Sequence, residues 1–154
     1  MITVDFTKYK SFLRLKKVTD KKTNETKRYI FCLIRHKWLV LQPEEFVRQL
    51  ILHYLIEEKG YSKNNITVEK GITVNELSRR CDILVFDKNT APILLVECKS
   101  PKISITEAVF QQIAAYNLPL KVKFLLLSNG IDTYCCEVNH KEKSWQFLSA
   151  IPES

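Results

Sequence analysis

Three ionisable residues at the ends of two apolar runs suggest what chemistry this chain can do. Asp82 heads Asp82-Ile83-Leu84-Val85-Phe86, and Glu97 and Lys99 close Ile93-Leu94-Leu95-Val96-Glu97-Cys98-Lys99. Such runs read as buried β-strands, where an unpaired carboxylate or ammonium is costly. Side chains alternate across a strand, so Glu97 and Lys99 share a face. If the two strands pair as a hairpin, Asp82 meets Glu97 at one end. Two carboxylates can hold magnesium, a hard cation that keeps several waters, and the main-chain carbonyl of Cys98 can serve as a third ligand. A cation there would neutralise charge developing on a phosphodiester and activate a water. Lys99 could orient that water or stabilise the phosphate oxyanion. The competing reading is a set of strand-end salt bridges, Glu97 with Lys99, or Asp82 with Arg79 or Arg80. Salt bridges would account for any two of these charges. Three charges at the ends of two apolar strands favour a site.

Other chemistries find less support. His36, His53 and His140 do not cluster with cysteines, and His53 is expected at a helix surface. Cys32, Cys81, Cys98, Cys135 and Cys136 form no Cys-x-x-Cys pair, so reduced, buried thiols are expected rather than zinc. Ser128 and Ser149 lack a Gly-x-Ser-x-Gly setting. Gly60, Gly71 and Gly130 are the only glycines, which leaves no Gly-x-x-x-x-Gly-Lys loop to cradle nucleotide phosphates.

Lys and Arg total 24 against 17 Asp and Glu, a formal net charge of +7. That balance suits a polyanionic partner such as DNA. Much of the excess falls in the first quarter, where Lys16, Lys17, Arg35 and Lys37 are expected to contact phosphates without reading sequence. No apolar run approaches the roughly 20 residues that span a bilayer, and the N-terminus lacks the pattern of a signal peptide. No membrane partner and a cytoplasmic location are therefore expected.

The elements that must position these groups follow from periodicity and punctuation. Residues 12–18 and 28–34 read as strands around the basic turn Asp20–Glu25. Pro43 opens a helix at its favoured first position, with Phe46, Val47, Leu50, Ile51, Tyr54 and Leu55 at helical spacing and Gly60 as its stop. Strands are expected at 66–74, 82–86, 93–99, 122–128, 133–138 and 145–148. Ser104-Ile105-Thr106-Glu107 matches a capping box opening a second helix to about Asn117. The fold expected is α/β, a central mixed sheet flanked by helices. A single domain of 154 residues is expected, with a basic hairpin region (1–41), a core bearing the motifs (42–130) and C-terminal strands (131–154).

Two helical features bear on the site. Gln112 and Tyr116 are four apart and share a face. Following the Glu-x-Lys strand, that helix could aim Gln112 at the site or at a phosphate; alternatively Tyr116 is core and Gln112 a solvated neighbour. Glu44 and Glu45 open the first helix, where its dipole favours them. Glu44 flanks Val47 and Ile51 and is the better placed of the two to face inward as a supporting carboxylate.

These pieces together resemble the PD-(D/E)XK nuclease superfamily, and specifically the N-terminal nuclease domain of type I restriction enzyme R subunits. The matching pieces are Pro43-Glu44-Glu45-Phe46-Val47-Arg48-Gln49, Arg80-Cys81-Asp82, Val96-Glu97-Cys98-Lys99-Ser100-Pro101, Gln112-x-x-x-Tyr116 and Ser128-Asn129-Gly130. They stand in the family's order over roughly residues 38–130. The resemblance implies a restriction-endonuclease-like fold and DNA cleavage with magnesium, manganese substituting. By resemblance, Asp82 and Glu97 bind the metal, Lys99 assists catalysis, and Gln112 and Tyr116 match the extra helix motif of RecB-type nucleases. Cys81 replaces the proline of the family's name, and Ser128 stands where threonine is common. Without a P-loop, a stand-alone nuclease domain is expected. Duplex cleavage would then need a second copy of the chain, or separate motor and specificity subunits. The alternative is a non-catalytic DNA-binding or assembly module that retains the fold.

Overall fold

The chain opens with a 3-10 segment, Phe6–Phe12, and a small antiparallel sheet of β1 (Leu15–Thr19), β2 (Thr26–Cys32) and β3 (Lys37–Val40). This computed structural model describes residues 1–74 and 76–154, and within them every side chain but those of residues 72, 74, 77 and 79. The expected hairpin is thus a three-stranded sheet. Its first turn is held by Asp20, which accepts hydrogen bonds from the amides of Lys22 and Thr23. Ile30 and Cys32 are fully buried, Cys32 within the main core, and Leu39 packs against that core. The N-terminal region therefore shares its hydrophobic core with the rest of the chain.

The helix α1 (Pro43–Glu57) begins at its proline, with Glu44 and Glu45 in the first turn. It stops at Gly60, whose φ of +75° is left-handed. The amide of Tyr61 then reaches back to the carbonyl of Leu55 at 3.0 Å, closing the helix end. Val47, Leu50, Ile51, Tyr54 and Leu55 are all buried, each large aliphatic contributing about 1.5–3 kcal/mol. His53, expected at the surface, is half-buried and stacks on Phe12 at 5.4 Å. The 3-10 segment covers this flank of α1, and burial lowers the imidazole's pKa.

Six strands follow, lying side by side in chain order: β4 (Ile66–Val74), β5 (Leu77–Phe86), β6 (Pro92–Cys98), β7 (Phe124–Ser128), β8 (Thr133–Asn139) and β9 (Ser144–Phe147). Only β6 and β7 are parallel. A parallel pair needs a crossover, which α2 (Glu107–Asn117) and the 3-10 turn Leu118–Leu120 supply. The cap of α2 is Thr106, whose hydroxyl accepts from the amide of Val109, and not Ser104. The Ser104–Glu107 pattern pointed to the right place in the wrong register, because Thr106 is also a good cap residue.

Both faces of the sheet are covered. Ile66, Ile83, Val85, Leu94, Val96 and Leu126 pack in one cluster with α1. Leu84, Leu95, Leu125 and Leu127 pack in a second with Phe110 and Ala114 of α2. This two-sided burial explains why β6 and β7 read as unbroken apolar runs. All five cysteines are free and buried.

Candidate active site

The β5–β6 hairpin is closed by Asp87, whose carboxylate accepts hydrogen bonds from the amides of Asn89 and Ala91. Its register sets Ile83 opposite Val96, so the next residues along, Asp82 and Glu97, arrive at one end of the pair. The two carboxyls are near enough for the Asp82 charge to raise the pKa of Glu97. Asp82 also accepts the main-chain amide of Cys98 at 2.7 Å through Oδ2 and Arg48 Nη2 at 3.1 Å through Oδ1.

Strand β5 is irregular at this point. Cys81 packs in the α2 cluster and Ile83 in the α1 cluster, although residues two apart on a regular strand share a face. In the β4–β5 ladder Val68 pairs with Ile83 and Lys70 with Cys81, but no pair forms between Glu69 and Asp82. Glu69 sits at φ +49°, a left-handed conformation that costs a non-glycine residue about 1–3 kcal/mol. The local turn of the strand frees the Asp82 carboxylate to reach both α1 and β6.

Burial pushes the Glu97 carboxyl up to about 8, and the neighbouring Asp82 charge adds to the shift. Lys99, two residues on, pulls in the opposite direction. Among the described residues no ion pair joins Glu97 to Lys99 or Asp82 to Arg80; Arg80 pairs instead with Glu69 at 3.2 Å. The Arg79 side chain lies outside the described residues. The amide of Lys99 donates to the carbonyl of Ser128, anchoring the strand end to β7. Glu44 faces this same group: partial burial raises its pKa first, Asp82 adds to that, and Lys99 and Arg48 oppose it.

Glu45, not Glu44, is the more deeply buried of the two acids. It pairs with Arg48 on its own helix, accepts from Gln49 Nε2 at 3.1 Å, and lies 3.5 Å from Arg35 Nη2. Glu69 joins them, 2.9 Å from Arg35 and 3.3 Å from Arg48. Arg35, expected on phosphates, is therefore committed to a half-buried ion-pair network. Sequence reading missed this network, although Glu45, Arg48 and Gln49 at i, i+3 and i+4 share one face of α1. A cleft of about 500 Å³ opens beside it, lined by Glu44, Glu45, Arg48, Glu69 and Ser100 among others.

Other expected residues lie apart. Gln112 is exposed and makes no hydrogen bond to Asp82, Glu97 or Lys99 among the described residues. Tyr116 is 59% exposed, so it is not core. The buried face of α2 belongs to Phe110, Ala114 and Asn117. Lys16, Lys17 and Lys37 are exposed on the small N-terminal sheet. Ser128, Asn129 and Gly130 are structural: Asn129 caps the loop amides of Ile131 and Asp132 and holds the carbonyl of Ile103. Gly130, at φ +88°, lies so close to α1 that an added Cβ would come within 3.3 Å of Val47.

Among the described residues no three His, Cys, Asp or Glu side chains converge as a metal centre. The Asp82–Glu97 pair fits a magnesium ion by its chemistry all the same. Magnesium is commonly held by only one or two carboxylates, and two neighbouring carboxyls are oxygen donors that a dication can take. Among the described residues no helix is long and apolar enough to cross a membrane.

Residues 43–152 match the family described as Type I restriction enzyme R protein N terminus (HSDR_N). Among solved structures, the chain is similar to a fragment from Vibrio vulnificus YJ016 described as an HsdR subunit of a type I restriction enzyme. The identity is 23%, the TM-score 0.51, and the match covers 73% of this chain. It spans only 24% of that fragment, so the likeness concerns the fold alone. No curated protein matches the chain.

Proposed function

This chain belongs to the family of type I restriction enzyme R protein N termini, and on that premise we propose that it cleaves DNA as a PD-(D/E)XK nuclease. The observation that carries this reading is the convergence of Asp82 and Glu97 at the end of the β5–β6 pairing, with Lys99 two residues on. Asp82, Glu97 and the carbonyl of Cys98 would hold magnesium, with manganese as a substitute. The cation, when bound, would neutralise phosphate charge and acidify a water. The residues of the chain itself do the positioning. Arg48 and the Cys98 amide fix the Asp82 carboxylate from two sides. Lys99 supplies a positive charge for the phosphate oxygens and a donor to orient the water. Glu44 adds negative charge at the rim. Gln112, exposed on α2, is free to reach a phosphate of DNA laid across the strand ends. Lys16, Lys17 and Lys37 would contact the backbone further out. Cutting both strands calls for a second copy of the chain or for partner subunits that move and select the DNA.

Supercoiled plasmid incubated with the protein and magnesium or manganese tests the reading. Wild type should nick it. Lys99→Ala should slow nicking roughly 10²-fold or more, the scale of losing one stabilising donor, and Asp82→Ala should abolish it while the chain stays folded. Equal nicking by wild type and both variants, or none by any of them, would remove the enzyme and leave a DNA-binding or assembly module.

A further inference from the structure

The outer face of the small N-terminal sheet carries three aromatic rings set among cations. Ile30 and Cys32 of β2 are fully buried, so Tyr29 and Phe31 point the other way. Trp38 is opposite Phe31 and Lys16 is opposite Tyr29, which places all four on that outer face. Phe31 and Trp38 meet edge to face at 5.4 Å. The Arg14 guanidinium lies 4.4 Å from the Phe31 ring centre, and Lys16 Nζ lies 4.4 Å from that of Trp38. Arg14 and Lys16 are exposed, and the three rings are half-buried. A cleft of about 330 Å³ continues this face, sharing Arg14 and Phe31 and adding Phe12 and Lys63. Phe12 is 46% exposed. These residues lie outside the stretch matched to the family, except Lys63, so the surface is a property of this chain's own N-terminal region.

Half-buried rings set among cations are poorly suited to duplex DNA, whose bases are stacked out of reach. They suit an unpaired strand, whose bases stack on aromatic faces while its phosphates meet Lys and Arg. A charge patch alone would not need three aromatics on the same side of one sheet. We propose that the outer face of β1–β3, with its adjoining cleft, binds single-stranded DNA through base stacking on Trp38 and Phe31 and phosphate contacts from Arg14 and Lys16. The choice of DNA as occupant rests on the proposed function; the binding itself requires no cleavage.

Fluorescence anisotropy of a labelled oligo(dT) and of a duplex of equal length tests the surface, with metal chelated so that nothing is cut. The single strand should bind more tightly. Trp38→Ala should weaken its binding about tenfold, in line with one lost stacking contact, while duplex binding changes little. Trp38→Phe, which keeps a ring, should restore most of the affinity and guards against a folding defect. In a Trp145→Phe background, oligo(dT) should quench Trp38 fluorescence. Wild-type affinity in both Trp38→Ala and Phe31→Ala, or equal losses for duplex and single strand, would overturn the proposal. Tight single-strand binding without plasmid nicking would retain this surface and remove the nuclease. Nicking with unaffected binding in the ring variants would do the reverse.

Discussion

Arg48 Nη2 lies 3.1 Å from Asp82 Oδ1, tying a side chain of α1 to the carboxylate midway along β5. The same guanidinium pairs with Glu45 and reaches Glu69 at 3.3 Å, and its side chain is only 4% exposed. One buried cation therefore sets the distance between the first helix and the strand end on which the proposed chemistry depends.

Removing that cation should be costly. Arg48→Ala leaves Glu45 with only Gln49 and the more distant Arg35, and Asp82 with only the Cys98 amide, and breaking a buried pair this way costs about 3–5 kcal/mol. Urea denaturation measures it. A loss below about 1 kcal/mol would mean that the network contributes little to holding α1 on the sheet.

Acid should weaken the same network. Burial by itself pushes the Glu69 carboxyl up, but the guanidiniums of Arg48, Arg35 and Arg80 outweigh it and leave the group below its ordinary value. A carboxyl held lower in the folded chain contributes stability that is present above its unfolded value, about 4.3. That contribution fades as pH falls through the folded value. Stability measured from about pH 5 down to about pH 3 should fall, and Glu69→Gln should fall less steeply. Parallel curves for the two proteins would contradict this assignment.

Gln112 separates a role toward DNA from a role in the fold. Its side chain is exposed on α2, so Gln112→Ala should leave unfolding within about 0.5 kcal/mol of wild type. If it reaches a bound phosphate, plasmid nicking should nevertheless slow. Unchanged nicking would confine the site to the strand ends and α1.

The opposite face of the sheet includes Phe110 at the foot of α2. Phe110 is fully buried, 5.0 Å from Phe147 and 5.9 Å from Tyr134 between ring centres. Phe110→Ala should cost about 3–5 kcal/mol by cavity formation, whereas Leu15→Ala, at a position 53% exposed, should cost little. Calorimetric unfolding of the two variants gives the comparison. A small loss for Phe110→Ala would show that α2 can collapse onto the sheet without it.

Much of the architecture was legible in the residues. Pro43 and Gly60 bracket α1 because their backbone preferences are local. The apolar runs 93–98 and 124–128 announce strands buried on both faces, and the parallel pair follows once a helix lies between them. Local signals also left choices open. Ser104 and Thr106 are both competent caps, and only the path of the chain chose Thr106. The spacing of Gln112 and Tyr116 describes a shared face but not which way that face points. Packing of Phe110 and Ala114 on the sheet turned it to solvent.

The site divides along the same line. That Glu97 closes an apolar strand with Lys99 two residues on, and Asp82 stands before the apolar run of its neighbour, is a matter of sequence alone. The bonding of Asp82 to Arg48, the burial of Glu45 rather than Glu44, and the diversion of Arg35 into a network with Glu69 are not. They join residues tens of positions apart, and a charge's partner is set by which surfaces the core brings face to face. Local periodicity states which side of its own element a residue occupies. Only the packing of α1 over the β4–β5–β6 edge, with Glu69 forced out of the ladder, determined what each charge would meet there.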